Sequence, residues 1–238
     1  MKHCDVSPGR PEENLACDEA LLDLCEAGES GELLRFWEPN QNFVVAGYGN
    51  RVSAEVNVEF CEENGIPILR RCTGGGAVLQ GPGVLNYCLI LRAEEGPCGT
   101  IQGTNRFVME RLRTVVSDLL KKRVEVQGHT DLAIGGLKIC GNAQRRKKSF
   151  LIFHGSFLLG LDLRMVERTL RMPSKQPEYR GNRAHRDFLL NLGISSGRLK
   201  DAMRDCWNAQ WVMSELPKEE IRRLVEGKYG RREWNFKF

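Results

Sequence analysis

The chain has 238 residues, of which 41% are hydrophobic and 28% charged, and its net charge is +4. That length suits one large domain with ample core, and so mild a charge argues for no nucleic-acid partner, although it would assist docking of an acidic protein. Asp5, Arg10, Glu12 and Glu13 interrupt the N-terminus and no run of 18 apolar residues occurs, so neither a leader nor a membrane span is expected and the expected location is the cytoplasm.

Pro11 to Ala27 has helical spacing through Leu15, Leu21, Leu22 and Cys25, with Gly28 as its stop. Leu33–Trp37 and Phe43–Gly47 read as strands joined by a Pro-Asn turn. Glu55–Asn64 reads as a helix ended by Gly65, and Ile66–Arg71 and Ala77–Gln80 as strands on either side of a glycine run. Leu85–Leu91 suits a buried strand, and Thr104–Lys122 is a strongly amphipathic helix. Val124–Val126, Leu132–Ile134, Leu137–Asn142 and Phe150–Leu159 read as further strands. Leu163–Met172, Leu199–Leu216 and Lys218–Tyr229 read as helices, with a loop over 173–186. Trp37, Trp207, Trp211 and Trp234 read as core anchors. Strands and helices interleave, but tight turns join several strands. The pattern predicts an α+β fold with a mixed, largely antiparallel sheet flanked by helices, in a single domain over residues 1–238.

Two stretches carry chemistry. The first is Arg70-Arg-Cys-Thr-Gly-Gly-Gly-Ala-Val-Leu79. Three consecutive glycines cost backbone entropy, so they mark either a plain turn or main chain that a ligand must approach. Bare amides beside two guanidiniums suit a phosphate or an acyl-phosphate. The second runs from Asp131 to Arg146. Gly135-Gly136 signals a hairpin, and Lys138 comes next inside an apolar strand, either on a solvated face or aimed into a polar pocket. Strand alternation predicts that Lys138 and Cys140 share a face, and Gly141 and Ala143 leave room for a ligand. The nine cysteines are irregularly spaced and hold no Cys-x-x-Cys pair, so reduced thiols are expected rather than a zinc ribbon. Arg145-Arg-Lys-Lys148 is expected at a hairpin tip, as a solvated turn or as a guide for an acidic partner; Arg180, Arg183 and Arg186 could serve likewise.

The chain resembles the lipoate–protein ligase and octanoyltransferase superfamily, which shares its catalytic fold with biotin–protein ligases. The resemblance rests on Asn14–Leu21, Arg35–Pro39 with Val45–Tyr48, Arg70–Leu79, Asp131–Gln144 with Lys138 in a Lys-Ile-x-Gly-x-Ala pattern, and Lys228–Asn235, all in the family's order. It implies that ATP and lipoate give lipoyl-AMP, which the lysine amine of an acceptor lipoyl domain then attacks. By resemblance Arg71 and the backbone of Gly76, Ala77, Val78 and Leu79 hold the nucleotide. Lys138 reaches both the carboxylate and the α-phosphate. Asp131 helps hold magnesium or the adenylate. Arg70, Gly74, Gly75 and Gly76, with Gly141, Ala143, His154 and Gly155, shape the acyl pocket. Many relatives carry His-Asp after the glycine loop, where this chain has Gln80-Gly81. The family's accessory C-terminal domain is expected on a separate chain or not at all. Two rivals stand beside the ligase: ATP-independent octanoyl or lipoyl transfer through a cysteine acyl-enzyme, for which Cys72 and Cys140 are candidates, and a non-catalytic acyl-binding protein.

Overall fold

The computed structural model describes residues 1–94 and 96–238. Strand β1 (Lys2–Asp5) leads to helix α1 (Pro11–Glu26), which starts on a proline and whose Glu13 reaches back to the Arg10 amide. Strands β2 (Leu33–Trp37) and β3 (Phe43–Ala46) come next. The helix expected over Glu55–Asn64 is two, α2 (Val52–Glu55) and α3 (Val58–Glu63). Val56 leaves the helix to pair with Leu170, and the Asn57 side chain caps the start of α3. Then come β4 (Ile68–Arg70), β5 (Val78–Gln80) and the long β6 (Val84–Arg92). Helix α4 (Ile101–Leu120) begins before the expected Thr104, because the Thr100 hydroxyl accepts from the Gly103 amide at 3.0 Å. Strands β7 (Glu125–Gln127), β8 (Asp131–Ile134), β9 (Leu137–Arg146) and β10 (Phe150–Leu158) form an antiparallel run.

Helices α5 (Leu163–Thr169), α6 (His185–Phe188) and α7 (Ser196–Cys206) precede the edge strand β11 (Trp211–Val212). The helix expected to reach Leu216 thus stops early. Asn208 takes a left-handed φ of 46°, which turns the chain alongside β1. Trp211 sits on that edge strand, 73% exposed, and is not the core anchor expected. Helix α8 (Lys218–Leu224) continues into a π turn at Val225–Tyr229, and α9 (Arg232–Asn235) ends the fold.

The eight-stranded sheet has the order β11-β1-β2-β6-β10-β9-β8-β7, and β4-β3-β5 form a second, smaller one. Among the strands of the described residues, only β1 with its two neighbours and β3 with β4 pair in parallel, so the sheet system is mixed and largely antiparallel, as predicted. Helices cover both faces of the large sheet. Period-two alternation decides which side chain meets which layer. On β6, Leu85, Tyr87, Leu89 and Leu91 face the layer of α4 and α7, while Cys88 and Ile90 face α1 and α8. The same face of β6 and β10 that carries Cys88, Ile90 and Ile152 turns polar further along, at Asn86, His154 and Ser156. That change of polarity inside two buried strands opens the site.

The basic run ends at the hairpin tip between β9 and β10, as expected, but most of its side chains are paired rather than free in solvent. Strand β9 extends through Arg146, and Arg145 pairs with Glu19 at 2.8 Å, while Arg146 donates to the Ala93 and Cys98 carbonyls and Lys147 pairs with Asp23. Lys148 alone stays exposed. Arg180 is buried and stacks on Phe188 together with Arg183, so these arginines pin their own loop; Arg186 pairs with Glu167 at the surface. Among the described residues no helix is long and apolar enough to cross a membrane.

Candidate active site

A cavity of about 830 Å³ runs between the two sheets. Its walls include Arg71, the backbone of Gly74, Gly75 and Gly76, Ala77, Val78, Asp131, Lys138, Gly141, Ala143, His154 and Gly155. The glycine run and the lysine strand, separated by more than sixty residues of chain, therefore line one space. Leu15, Trp37 and Val45 make an apolar section of wall, suited to an aliphatic chain.

Two residues expected there lie elsewhere. Arg70 is fully buried, and its guanidinium donates to the carbonyls of Gly47, Tyr48, Asn50, Trp234 and Asn235, so it ties the C-terminal helix to the loop after β3. Leu79, named for its backbone, is not among the residues that line the cavity: it pairs with Val44 within the smaller sheet, and its side chain packs in the core.

Arg71 points the other way from Arg70. Its guanidinium donates to Thr73 Oγ1 at 3.0 Å and to the carbonyls of Gly74 and Gly76 at 2.5 and 2.9 Å. It thus folds the glycine run around itself. Burial pulls the guanidinium down to about 10, which leaves it charged at neutral pH, and among the described residues no carboxylate pairs with it. A buried cation with that deficit favours an anionic ligand. The glycines differ in what they allow. Gly75 has φ +92°, a conformation that a side chain resists, and a Cβ there would lie 2.8 Å from Arg71 Nη2. Cβ atoms built on Gly74 or Gly76 meet nothing within 4 Å, so the protein's own packing does not require glycine at either place.

Lys138 Nζ lies 2.8 Å from Asp131 Oδ1, and the other carboxylate oxygen accepts from the Tyr179 hydroxyl at 2.9 Å. The expected pairing of Lys138 and Cys140 on one face does not hold. Asp131 faces Gly141 and Leu132 faces Cys140, but Ala133 faces Lys138, so β9 carries one extra residue at a bulge. The insertion inverts the alternation. Lys138 and Gly141 face the cavity, while Ile139 and Cys140 both enter the core. Cys140 is 1% exposed, its thiol donates to Asn142 Oδ1, and burial pushes it far above its ordinary value. Cys72 is buried as well, raised by burial and then by Glu19, and faces the Glu19–Lys228–Tyr229 cluster. Among the described residues no cysteine lines the cavity.

His154 Nε2 lies 2.7 Å from Thr73 Oγ1, and its Nδ1 lies 3.4 Å from Asp18 Oδ2. Asp18 is itself paired with Arg35, which is wholly buried. The chain Arg35–Asp18–His154–Thr73–Arg71 links a core ion pair to the glycine run. Burial pushes the Asp18 carboxyl up, but Arg35 and then His154 outweigh it and hold it below the ordinary carboxylate value. A depressed carboxyl stabilises the fold above the unfolded value near pH 4 and loses that contribution as pH falls through the folded value. Asp18→Asn should therefore cost about 3 kcal/mol or more at pH 7, by stranding Arg35. The gap in Tm between wild type and variant should narrow from pH 5 to pH 3; a constant gap in thermal unfolding would refute it.

Several lining residues escape the motif patterns. Gln80 bonds Asn86 and Ser156, which also bond each other, and the three close one wall. Their signal is a polar residue at alternate positions of an apolar strand, on the face that His154 occupies. Asn142 is bonded to the Thr130 carbonyl and by the Tyr87 hydroxyl, and Glu55 holds Ser174 at the cavity edge.

The family model described as "Lipoyl protein ligase A/B catalytic domain" matches residues 10–197. Lipoate-protein ligase A subunit 1 of Thermoplasma acidophilum is 26% identical over 96% of this chain and 93% of its own. Octanoyltransferase LipM of Symbiobacterium thermophilum is 29% identical over 94% of each chain. A solved lipoate-protein ligase A bound with ATP superposes with a TM-score of 0.84 over 99% of both chains at 24% identity, a likeness of fold.

Proposed function

Given that the chain belongs to the lipoyl protein ligase A/B catalytic domain family, we propose that it activates lipoate or octanoate with ATP to an acyl-adenylate and passes the acyl group to a lysine of an acceptor lipoyl domain. The observation that supports adenylation over a cysteine acyl-enzyme is the cavity wall. An ammonium, a buried guanidinium and bare amides face it, and among the described residues no thiol does. A thioester route needs a thiolate in that space, and burial raises both candidate thiols instead.

In the first half-reaction a carboxylate oxygen of the acyl substrate attacks the α-phosphorus and pyrophosphate leaves. Lys138 draws the carboxylate and α-phosphate together and offsets their repulsion, while Arg71 and the loop amides hold the phosphate. The apolar wall of Leu15, Trp37 and Val45 takes the tail. In the second half-reaction the acceptor amine attacks the acyl carbon and AMP leaves. Among the described residues no three His, Cys, Asp or Glu side chains gather as a metal site, and both Asp131 oxygens are engaged. Magnesium would be held chiefly by the nucleotide's phosphates, with Asp131 as the protein group at hand. The T. acidophilum relative is named as one subunit, so an accessory chain that assists adenylation belongs to the proposal.

The decisive assay incubates the purified chain with ATP, magnesium and lipoate and looks for released pyrophosphate and an acyl-adenylate by mass. The second reading, favoured by the relative named octanoyltransferase, predicts octanoyl transfer from a carrier-protein thioester without ATP. Cys72→Ser and Cys140→Ala should each keep acceptor modification within about twofold, since neither thiol would touch substrate. An octanoyl thioester on either cysteine, lost with the substitution, would favour the transferase.

A further inference from the structure

We infer that Tyr179 is a positioning residue for the Lys138 ammonium, acting through the shared carboxylate of Asp131; the inference rests on the adenylating role proposed above. Asp131 has one oxygen on Lys138 Nζ at 2.8 Å and the other on the Tyr179 hydroxyl at 2.9 Å. Tyr179 comes from a short turn, Glu178–Arg180, remote in sequence from the lysine strand.

That turn is held firmly against the lysine hairpin. The Tyr179 ring lies 5.1 Å from the Phe188 ring, on which Arg180 and Arg183 also stack. Arg183 donates to the Tyr179 carbonyl at 2.7 Å and to the Gly136 carbonyl, in the β8–β9 turn, at 2.9 Å. Leu190 N donates to the Lys138 carbonyl at 2.9 Å, so the same segment borders the lysine's own backbone. The hydroxyl is thereby aimed at one carboxylate oxygen. Burial, then the Asp131 charge, raises the phenol, so it remains a donor at neutral pH.

The Lys138 ammonium has three N–H donors, and as an acyl carboxylate and a phosphate draw it toward them its contact with Asp131 loosens. A carboxylate whose sole partner is the ammonium both holds it back and is stranded, 14% exposed, once it leaves. The Tyr179 hydrogen bond reduces both costs. Removing it should therefore slow the step that Lys138 serves rather than weaken nucleotide binding.

The test compares wild type, Tyr179→Phe, Asp131→Asn and the double variant in acyl-adenylate formation from ATP and lipoate. Tyr179→Phe keeps the ring on Phe188, and its Tm checks that the turn stays folded. It should lower kcat about tenfold, the range for a hydrogen bond to a charged group, with KM for ATP within about threefold. In the Asp131→Asn background the same substitution should cost less than about twofold, because the carboxylate it acts through is gone. A Tyr179→Phe kcat within about twofold of wild type overturns the inference. So does an equal loss in both backgrounds, or a loss confined to KM, which would mark the tyrosine as a loop anchor alone. If wild type forms no adenylate yet transfers an octanoyl group from a carrier thioester, the adenylation reading falls while this inference is put to the same four proteins on that transfer: coupling to Asp131 there supports it, and its absence overturns it.

Discussion

Lys138→Ala is expected to lose acyl-adenylate formation by at least about a hundredfold while the protein stays folded. In the proposed reaction the ammonium bridges the carboxylate and the α-phosphate, and a preorganised charge-assisted contact of this kind contributes about 3–4 kcal/mol to the transition state. The structural side of the substitution is mild. The lysine side chain is 25% exposed, its partner Asp131 keeps the Tyr179 hydroxyl, and a partly solvated pair contributes at most about 1 kcal/mol to folding. Pyrophosphate release measures the first effect and thermal unfolding the second. Lys138→Ala with full acceptor modification would remove the lysine from the chemistry and return the non-catalytic acyl-binding reading to the front.

The second large effect separates two glycines. A Cβ on Gly47 would lie 2.0 Å from the Gly75 carbonyl oxygen and 2.9 Å from its carbon. Both atoms are backbone, in a loop already folded around Arg71, and the Gly47 carbonyl itself accepts from Arg70. Nothing there can give cheaply. Gly47→Ala should cost about 2–3 kcal/mol, or roughly 5–10 °C in Tm for a domain of this size, and should displace the glycine run. Gly76→Ala should do the reverse. Its added methyl meets no protein atom within 4 Å, so Tm should move by less than about 1 °C. Yet that residue lines the cavity, and in the proposed function the methyl would intrude on the nucleotide, so adenylate formation should fall more than about tenfold. A Gly76→Ala protein with unchanged activity would mean that the loop's bare backbone is not approached by substrate.

How legible the site was in the sequence varied with how local its signal is. The glycine run and Lys138 stood out because each is anomalous where it stands: side chains missing for three residues, and a cation inside an apolar strand. Twelve of the fourteen residues named for the site, all but Arg70 and Leu79, line one cavity. The miss at Arg70 has a simple cause. Two adjacent arginines are chemically identical on paper, yet at a strand end neighbours point apart, so Arg70 binds five backbone carbonyls and Arg71 faces the cavity. Cys140 failed for a subtler reason. One extra residue between Lys138 and Gly141 inverts the alternation, and a bulge has no residue-type signature in this stretch.

Composition, periodicity and the order of motifs by themselves determined the class of fold, the elements along most of the chain, and the two segments that line the cavity. Tertiary structure decided the rest: that Asn86, His154 and Ser156 share a wall, that Asp18 and Arg35 stand behind it, that Tyr179 reaches Asp131, and that the basic run is spent on Glu19, Asp23 and two carbonyls. The physical reason is one of range. Glycine freedom and hydrophobic period are properties of a few consecutive residues, whereas which way a side chain faces depends on strand register, and register is set by partners far away in the chain.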